Sequence, residues 1–341
     1  MQTKKEVKKL WKLCFNDSDE FVEMYFRLRY NSETTMTIQS GNKIVSSLQM
    51  PYYPMTFEGA EIQTAYISGA CTHPDFRGKG VMAQLLAESF SRMVQKNIPL
   101  SILIPANPGL YDYYAKTGYA PAFFRTRIEE NISDIVVNKG NLQFKRITSF
   151  DKSVFDYCTE KAYSRPNCVQ HTTEDFEAIM EDLRIGGGSV TVAYKGEDGP
   201  IRGVLFSYPE DNYLKVPDWF ADNKGIKDIL IQEAANYYGL SNIVWFKLPN
   251  HSNKEKTFGM ARIINAKMML HLYATTHPDE KMNIQLTDEQ LTFNNGYYYI
   301  AGGMCTFSKK ALENEHIELT SQQLSGLIFD RIRLYMSLML E

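Results

Sequence analysis

Cysteine is scarce in this chain: Cys14, Cys71, Cys158, Cys168 and Cys305 are five residues among 341. The count is odd and no C-x-x-C occurs, so a disulfide framework is excluded and reduced thiols in a cytoplasmic protein are expected. The six histidines show no metal-ligand spacing, and no metal is expected. No apolar run approaches the roughly 18 residues that cross a membrane. The opening lysines, Lys4, Lys5, Lys8, Lys9 and Lys12, accompany no apolar core segment and no small-residue cleavage site. Val7, Leu10, Trp11 and Cys14 interleave with them at helical spacing, which predicts an amphipathic helix rather than a targeting signal. An excess of either charge is also missing. Lys and Arg number 37 against 40 Asp and Glu, a net charge of -3, and no footprint for nucleic acid exists. What the chain does have is core material, 44% hydrophobic and 13% aromatic, which excludes a disordered or fibrous chain. At about 150 residues per domain, two or three domains are expected.

Hairpin, helix and buried strand recur along the first two thirds. Residues 34–39 and 43–50 are strand-like around Ser40-Gly41-Asn42, and residues 61–72 form a further strand. A helical face follows, with Val81, Leu85, Leu86, Met93 and Val94, and then a short buried strand at 100–104. Residues 108–116 look helical, with Gly118 as the stop. Residues 190–194 and 201–208 repeat the hairpin, 226–238 the helix and 243–248 the buried strand. The order points to two related α/β modules, or to independent use of one common unit. The last third differs: 261–273 is helix-like, 282–286, 290–293 and 297–300 are strands, and 324–340 is a closing helix.

The sharpest chemical signal runs Cys71-Thr72-His73-Pro74-Asp75-Phe76-Arg77-Gly78-Lys79-Gly80-Val81-Met82. A strand feeds a turn with two glycines, and the turn opens a helix. The glycines let the main chain approach an anion, and the first N–H groups of the helix point at it. Arg77 and Lys79 add positive charge, an arrangement suited to a pyrophosphate. It is neither a P-loop nor G-x-G-x-x-G. Beyond the next strand, Asn107 precedes a short helix bearing Tyr111, Tyr113 and Tyr114, closed by Gly118-Tyr119. For any single tyrosine, amphipathic packing accounts for its place at least as well as chemistry does.

Together the two segments resemble the GNAT N-acetyltransferase superfamily. Arg77-Gly78-Lys79-Gly80 is similar to its Q/R-x-x-G-x-G/A pyrophosphate loop, in the form R-G-x-G. Tyr113-Tyr114-Ala115-Lys116-Thr117-Gly118-Tyr119 is similar to its F-Y-x-K-x-G-F segment. Length, element order and the stretches 260–265, 284–296 and 319–324 further resemble acetyltransferases of the enhanced-intracellular-survival type. The resemblance implies a mixed α/β (α+β) fold with a catalytic GNAT domain over 1–135. A degenerate GNAT-like domain over 140–252 and a sterol-carrier-like α+β domain over 256–341 would follow. The central module offers only Lys224-Gly225-Ile226 at its strand-to-helix join, so no acetyl-CoA site is expected there. Gly186-Gly187-Gly188 precedes a strand and reads as a linker.

For activity, the resemblance implies direct transfer of an acetyl group from acetyl-CoA to a primary amine, on a small molecule or a lysine. No metal, nucleic acid or membrane span is involved, and homo-oligomerisation is left open. The alternative is a non-catalytic acyl-CoA or lipid-binding protein. Arg77, Gly78, Lys79, Gly80, Val81 and Met82 would hold the pyrophosphate, with Asn107 as a further cofactor contact. Main-chain N–H groups at Ala70, Cys71 and Thr72 would polarise the thioester carbonyl. No nucleophilic role is expected of Cys71. A tyrosine at about 10 can protonate a departing thiolate whose acid lies near 8.5. Tyr114 falls where the superfamily's tyrosine does, with Tyr111 and Tyr113 ranked after it. Proteins of this type thread a terminal carboxylate back to the catalytic domain. Residues 334–341 are apolar enough to pack, so Glu341 is expected to bring a carboxylate, of main chain or side chain, to the acceptor's ammonium. Trp11, Phe15, Glu20, Phe21, Tyr25, Phe26 and Tyr30 suit an amine site and suit core packing equally.

Overall fold

A computed structural model describes residues 2–340 except 136, 198, 252, 253, 313 and 314. The first module runs α1 (Gln2–Cys14), α2 (Asp19–Leu28), β1 (Thr35–Ser40), β2 (Lys43–Gln49), β3 (Tyr52–Phe57), β4 (Ala60–Thr72), α3 (Val81–Gln95), β5 (Leu100–Leu103), α4 (Gly109–Ala115) and β6 (Ala120–Asn131). The second comprises β7 (Leu142–Ile147), α5 (Lys152–Tyr163), α6 (Thr173–Ile185), β8 (Ser189–Lys195), β9 (Ile201–Pro209), β10 (Leu214–Val216), β11 (Trp219–Ala221), α7 (Lys224–Tyr238) and β12 (Asn242–Lys247). Then come β13 (Lys256–Ile263), α8 (Ala266–Thr276), β14 (Met282–Thr287), β15 (Gly296–Ala301), β16 (Met304–Ser308), β17 (Ile317–Thr320) and α9 (Ser321–Arg331). The fold is mixed α/β, as expected.

The hairpin, helix, strand order repeats in space. In each module a parallel strand pair flanks the crossover helix: β4 with β5 around α3, and β10 with β12 around α7. Right-handed crossovers favour this placement. Helices α1, α3, α4 and α7 stand where their apolar spacing predicts. In α1 the buried residues are Val7, Leu10 and Trp11, one face of the helix. Ser18 caps α2 by accepting from the Phe21 N–H, and Asp19 and Glu20 face the positive end of the helix dipole.

A single large sheet carries both modules, in the order β1-β2-β4-β5-β13-β6-β12-β10-β9-β8-β7. Residues 261–273, which read as helical, divide instead into the end of β13 and the start of α8. Met260, Ala261 and Ile263 are apolar without a helical stripe because both faces of β13 are covered between β5 and β6. Residues 290–293 do not form the expected strand; β14 pairs directly with β15, and 292–294 make one 3₁₀ turn in the connection. The four strands β16-β15-β14-β17 form a separate sheet covered by α8 and α9.

The expected closing helix over 324–340 ends at Arg331. Residues 332–340 are an extended strap. Its Leu334 N–H bonds to the Ala122 carbonyl (3.2 Å), Tyr335 N–H to the Asn167 carbonyl (2.8 Å), and Val169 N–H to the Tyr335 carbonyl (2.9 Å). Residues 167–170 pair in turn with β3 through Met55 and Val169. Main-chain bonds therefore close a ring: β3, β4, β5, β13, β6, the strap, residues 167–170 and back to β3. Apolar side chains continue to residue 340, but they fill this ring rather than a helical stripe, which is why periodicity misread them.

Candidate active site

The 71–82 segment folds as a turn open to solvent. After Thr72 a 3₁₀ turn spans Pro74–Phe76, and His73 Nδ1 accepts from the Asp75 N–H (3.3 Å). Gly78 and Gly80 take φ of 72° and 77°, values that an L side chain rarely adopts. A Cβ at either glycine would meet nothing within 4 Å, so the space over the turn is empty. Gly80 is the N-cap of α3 and provides no capping side chain, and the first turn holds no acidic residue. Among the described residues the N–H groups of Gly78, Lys79 and Gly80 engage no acceptor. Arg77 and Lys79 are exposed and folded over the turn, with Arg77 Nε donating to the Thr72 carbonyl (3.0 Å) and Lys79 Nζ to the Asp75 carbonyl (2.7 Å). Such a cradle of free donors and two cations fits a pyrophosphate. The second module differs at the equivalent join. There Asn223 accepts from the Ile226 N–H (3.1 Å), so α7 caps itself and offers no comparable cradle.

β4 and β5 run parallel only from Thr64↔Leu100 to Ile67↔Leu103. β4 then continues alone on that side to Thr72, so Ala70, Cys71 and Thr72 lie beside a gap between the two strands. A register shift against β2 marks a bulge here, and Gly69 has φ of 54°. Glycine is required, since a Cβ would stand 2.0 Å from Cζ3 of Trp11. Asn107 is exposed between β5 and α4, and its carbonyl accepts from the Leu110 N–H (3.1 Å).

The tyrosines of α4 separate by environment. Tyr114 is 8% exposed, with its ring edge-on to Tyr113 (5.4 Å) and Tyr119 (5.7 Å). It packs in one cluster with Ile67 of β4 and Leu85 of α3, so α4 brings it to the strand and helix that flank the turn. Burial, with a smaller contribution from Tyr113, pushes its phenol up to about 12. Among the described residues nothing bonds its hydroxyl. Burial raises Tyr113 as well, though that side chain is only half-buried. Tyr111 is engaged elsewhere, its hydroxyl donating to the Phe258 carbonyl (3.3 Å). Gly118 has a role beyond stopping the helix. Its φ is 92°, and a Cβ there would overlap Nη1 of Arg262 at 1.6 Å. Arg262 is fully buried on β13 and forks onto Asp288 (2.9 and 3.1 Å).

Cys71 is buried beside Cys14, whose Sγ lies 3.5 Å from the Thr72 carbonyl. The hydrogen bond with Cys14 and then burial raise the Cys71 thiol, which opposes thiolate formation. Of the aromatic residues around α1 and α2, Trp11, Tyr25 and Phe26 are core, packed tilted or edge-on against one another with ring centroids 4.7 to 6.1 Å apart. Glu20 points outward to Arg184 (3.0 Å). Tyr25 also reaches β4, where its hydroxyl bonds Ser68 Oγ (3.3 Å).

Glu341 lies outside the described residues, but the strap leading to it is held firmly. Ser337 Oγ donates to Asp218 (2.5 Å), and Arg165 forks onto the same carboxylate (2.8 and 3.1 Å). His171 Nε2 bonds the Ser337 carbonyl at 2.9 Å. Leu340 is buried in the cluster that holds Trp11, Tyr25 and Cys71. Arg165, His171 and Asp218 escaped the sequence reading because they are scattered through the second module with no motif between them. The expected opposite-charge partner of Arg165 is separated from it by more than fifty positions in the chain.

Residues 2–122 match the family model for the acetyltransferase (GNAT) domain. That match contains the Arg77 turn and Tyr114. No curated protein matches the chain. Solved structures share its fold over nearly the whole length. A conserved protein of unknown function from Enterococcus faecalis V583, described as a probable N-acyltransferase, is 18% identical with a TM-score of 0.77, covering 98% of this chain and 95% of its own. The GCN5-related N-acetyltransferase from Anabaena variabilis ATCC 29413 is 17% identical with a TM-score of 0.76, covering 96% and 87%. Eis1 from Mycobacterium abscessus is 9% identical with a TM-score of 0.73, also covering 96% and 87%. At these identities the likeness is one of fold. Among the described residues no cluster of side chains could hold a metal, and no helix is long and apolar enough to cross a membrane.

Proposed function

We propose that this GNAT-type chain transfers an acetyl group from acetyl-CoA directly to a primary amine. The reading rests above all on the turn from Arg77 to Met82, with its uncapped helix start, free N–H groups and empty space over both glycines. Gly78, Lys79, Gly80, Val81 and Met82 would bind the pyrophosphate with Arg77 beside them, and Asn107 would contact the cofactor arm. Acetyl-CoA supplies the acyl group as an activated thioester. Main-chain N–H groups at Ala70, Cys71 and Thr72, on the stretch of β4 that runs on beyond β5, would orient the carbonyl. Tyr114 holds a proton on Oη that its burial keeps in place and would donate it to the leaving sulfur. Glu341 would set a carboxylate near the acceptor ammonium, supported by the burial of Leu340 beside α1, α2 and Cys71.

In this reading residues 1–135 are the catalytic domain and 140–252 a degenerate GNAT-like domain. Residues 256–341 form a sterol-carrier-like domain whose first strand, β13, is lent to the large sheet. The test is release of free thiol from acetyl-CoA with a panel of amines, run beside the Gly78→Val, Gly80→Val double variant. Two valines at positive φ would fill the space over the turn. Acetyl-CoA affinity should fall at least tenfold in the folded variant, and unchanged affinity would sink the assignment.

A further inference from the structure

The strap also walls a second space, away from the Arg77 turn and Tyr114. Between residues 334–340, β6, α6 and the second module lies a cavity of about 370 Å³. Close-packed interiors leave voids little larger than a water, whereas ligand sites begin at roughly 300 Å³. Its lining is mainly apolar, with Phe123, Phe246, Phe258, Leu183, Met336 and Met339 among the walls. The walls are not free to collapse, because Leu334, Tyr335 and Ser337 are each bonded to the body of the protein.

Three charged residues line the space: Arg125, Asp182 and Lys215. Arg125 is sandwiched between Phe258 (3.8 Å) and Phe246 (4.3 Å). Arg125 and Asp182 each have a partner already. Lys215, half-buried on β10, has its ammonium 5.0 Å from the Tyr208 ring centroid. Among the described residues no carboxylate lies within ion-pairing distance of it. An ammonium beside an apolar wall is short of solvent and gains most from an anion brought to it. A cationic guest would meet two cations, Lys215 and Arg125, against the single carboxylate of Asp182, which already has a partner.

We propose that this cavity binds a molecule with an apolar body and a single carboxylate, a medium-chain alkanoate in chemical class, with Lys215 as its counter-ion. The cavity contains none of the residues proposed to hold acetyl-CoA, and its proposal stands whether or not the acyl-transfer reading holds.

Calorimetry on the full chain at low ionic strength should compare decanoate, decan-1-ol and decylamine below their micellar concentrations. Decanoate should bind one to one, at least tenfold more tightly than decanol, and decylamine should bind more weakly still. Lys215→Met keeps the stem length and removes the charge, so decanoate should fall to the affinity of decanol. Lys215→Glu should reverse the order in favour of decylamine. Leu183→Trp, which fills the space from α6, should abolish binding of decanoate and keeps the test valid if a Lys215 variant fails to fold. Equal affinity for decanoate and decanol, unchanged decanoate affinity in Lys215→Met, or retained binding in Leu183→Trp would each overturn the proposal.

Discussion

Tyr114 shows how one side chain's surroundings set its chemistry. Water would leave a phenol half-ionised near pH 10, whereas burial in α4 pushes this one up to about 12. A raised phenol keeps its proton at every pH below that value. Activity should therefore show no basic limb belonging to Tyr114 between pH 7 and about 11, and a limb near 10 that vanishes in Tyr114→Phe would contradict the assignment. Tyr114→Phe itself should lower kcat by about two to four orders of magnitude with acetyl-CoA affinity nearly unchanged. If Tyr111→Phe or Tyr113→Phe is the inactive variant instead, the donor lies one turn or one residue away. Gly118 makes a different kind of prediction. Alanine there meets the Arg262 guanidinium at 1.6 Å, so the buried fork to Asp288 must open. Disrupting such a pair costs about 3–5 kcal/mol, which a urea titration would detect. Gly78→Ala, over empty space, should cost only about 1 kcal/mol of backbone strain.

At the scale of elements, the opening of the candidate site is made by a mismatch in length. β5 stops at Leu103 while β4 runs on to Thr72, and the bulge at Gly69 turns the exposed main chain beside the gap. The Trp11 ring fills the place of a side chain at Gly69, tying α1 to that bulge. Trp11→Ala should thus loosen the bulge as well as the core. The expected result is a loss of about 3–5 kcal/mol in stability and, in the folded fraction, a higher KM for acetyl-CoA. An unchanged KM would mean that α1 serves packing alone. The elements themselves were legible where one face or one turn governs them: α1, α3, α7, both hairpins and the Arg77 turn follow from spacing and glycines. β13 was not, because a strand covered on both faces has no alternation to read. The strap was not, because its apolar residues answer to partners in three different segments.

For the whole molecule, the strap is a second link between the modules, beside the β6–β12 pairing. Asp218 holds both Arg165 and Ser337, and both of its carboxylate oxygens are in use. Asp218→Ala should leave Arg165 buried without its counter-charge and cost about 3–5 kcal/mol. Hydrogen exchange at the Tyr335 and Val169 amides should speed up more than exchange in α3, and uniform acceleration would show that the strap has no stability of its own. Removing residues 340 and 341 tests the proposed carboxylate. Transfer should fall at least tenfold while acetyl-CoA affinity holds, and full activity in a folded variant would refute a role for Glu341.

What the sequence determined alone was local: a charge-balanced, mixed α/β chain with two repeated hairpin–helix–strand modules and a two-glycine turn at Arg77 that opens a helix. Those features depend on contacts between near neighbours, and near neighbours are what spacing, glycines and charge runs record. Only the tertiary structure decided that β13 enters the first module's sheet and that Gly118 makes room for Arg262. It alone brought His171 and Asp218 onto Ser337, set Arg165 on Asp218, and left Lys215 facing an apolar cavity. Each of these joins residues far apart in the chain, where the energy of burying an ion pair or closing a sheet ring outweighs local preference and leaves no periodic trace.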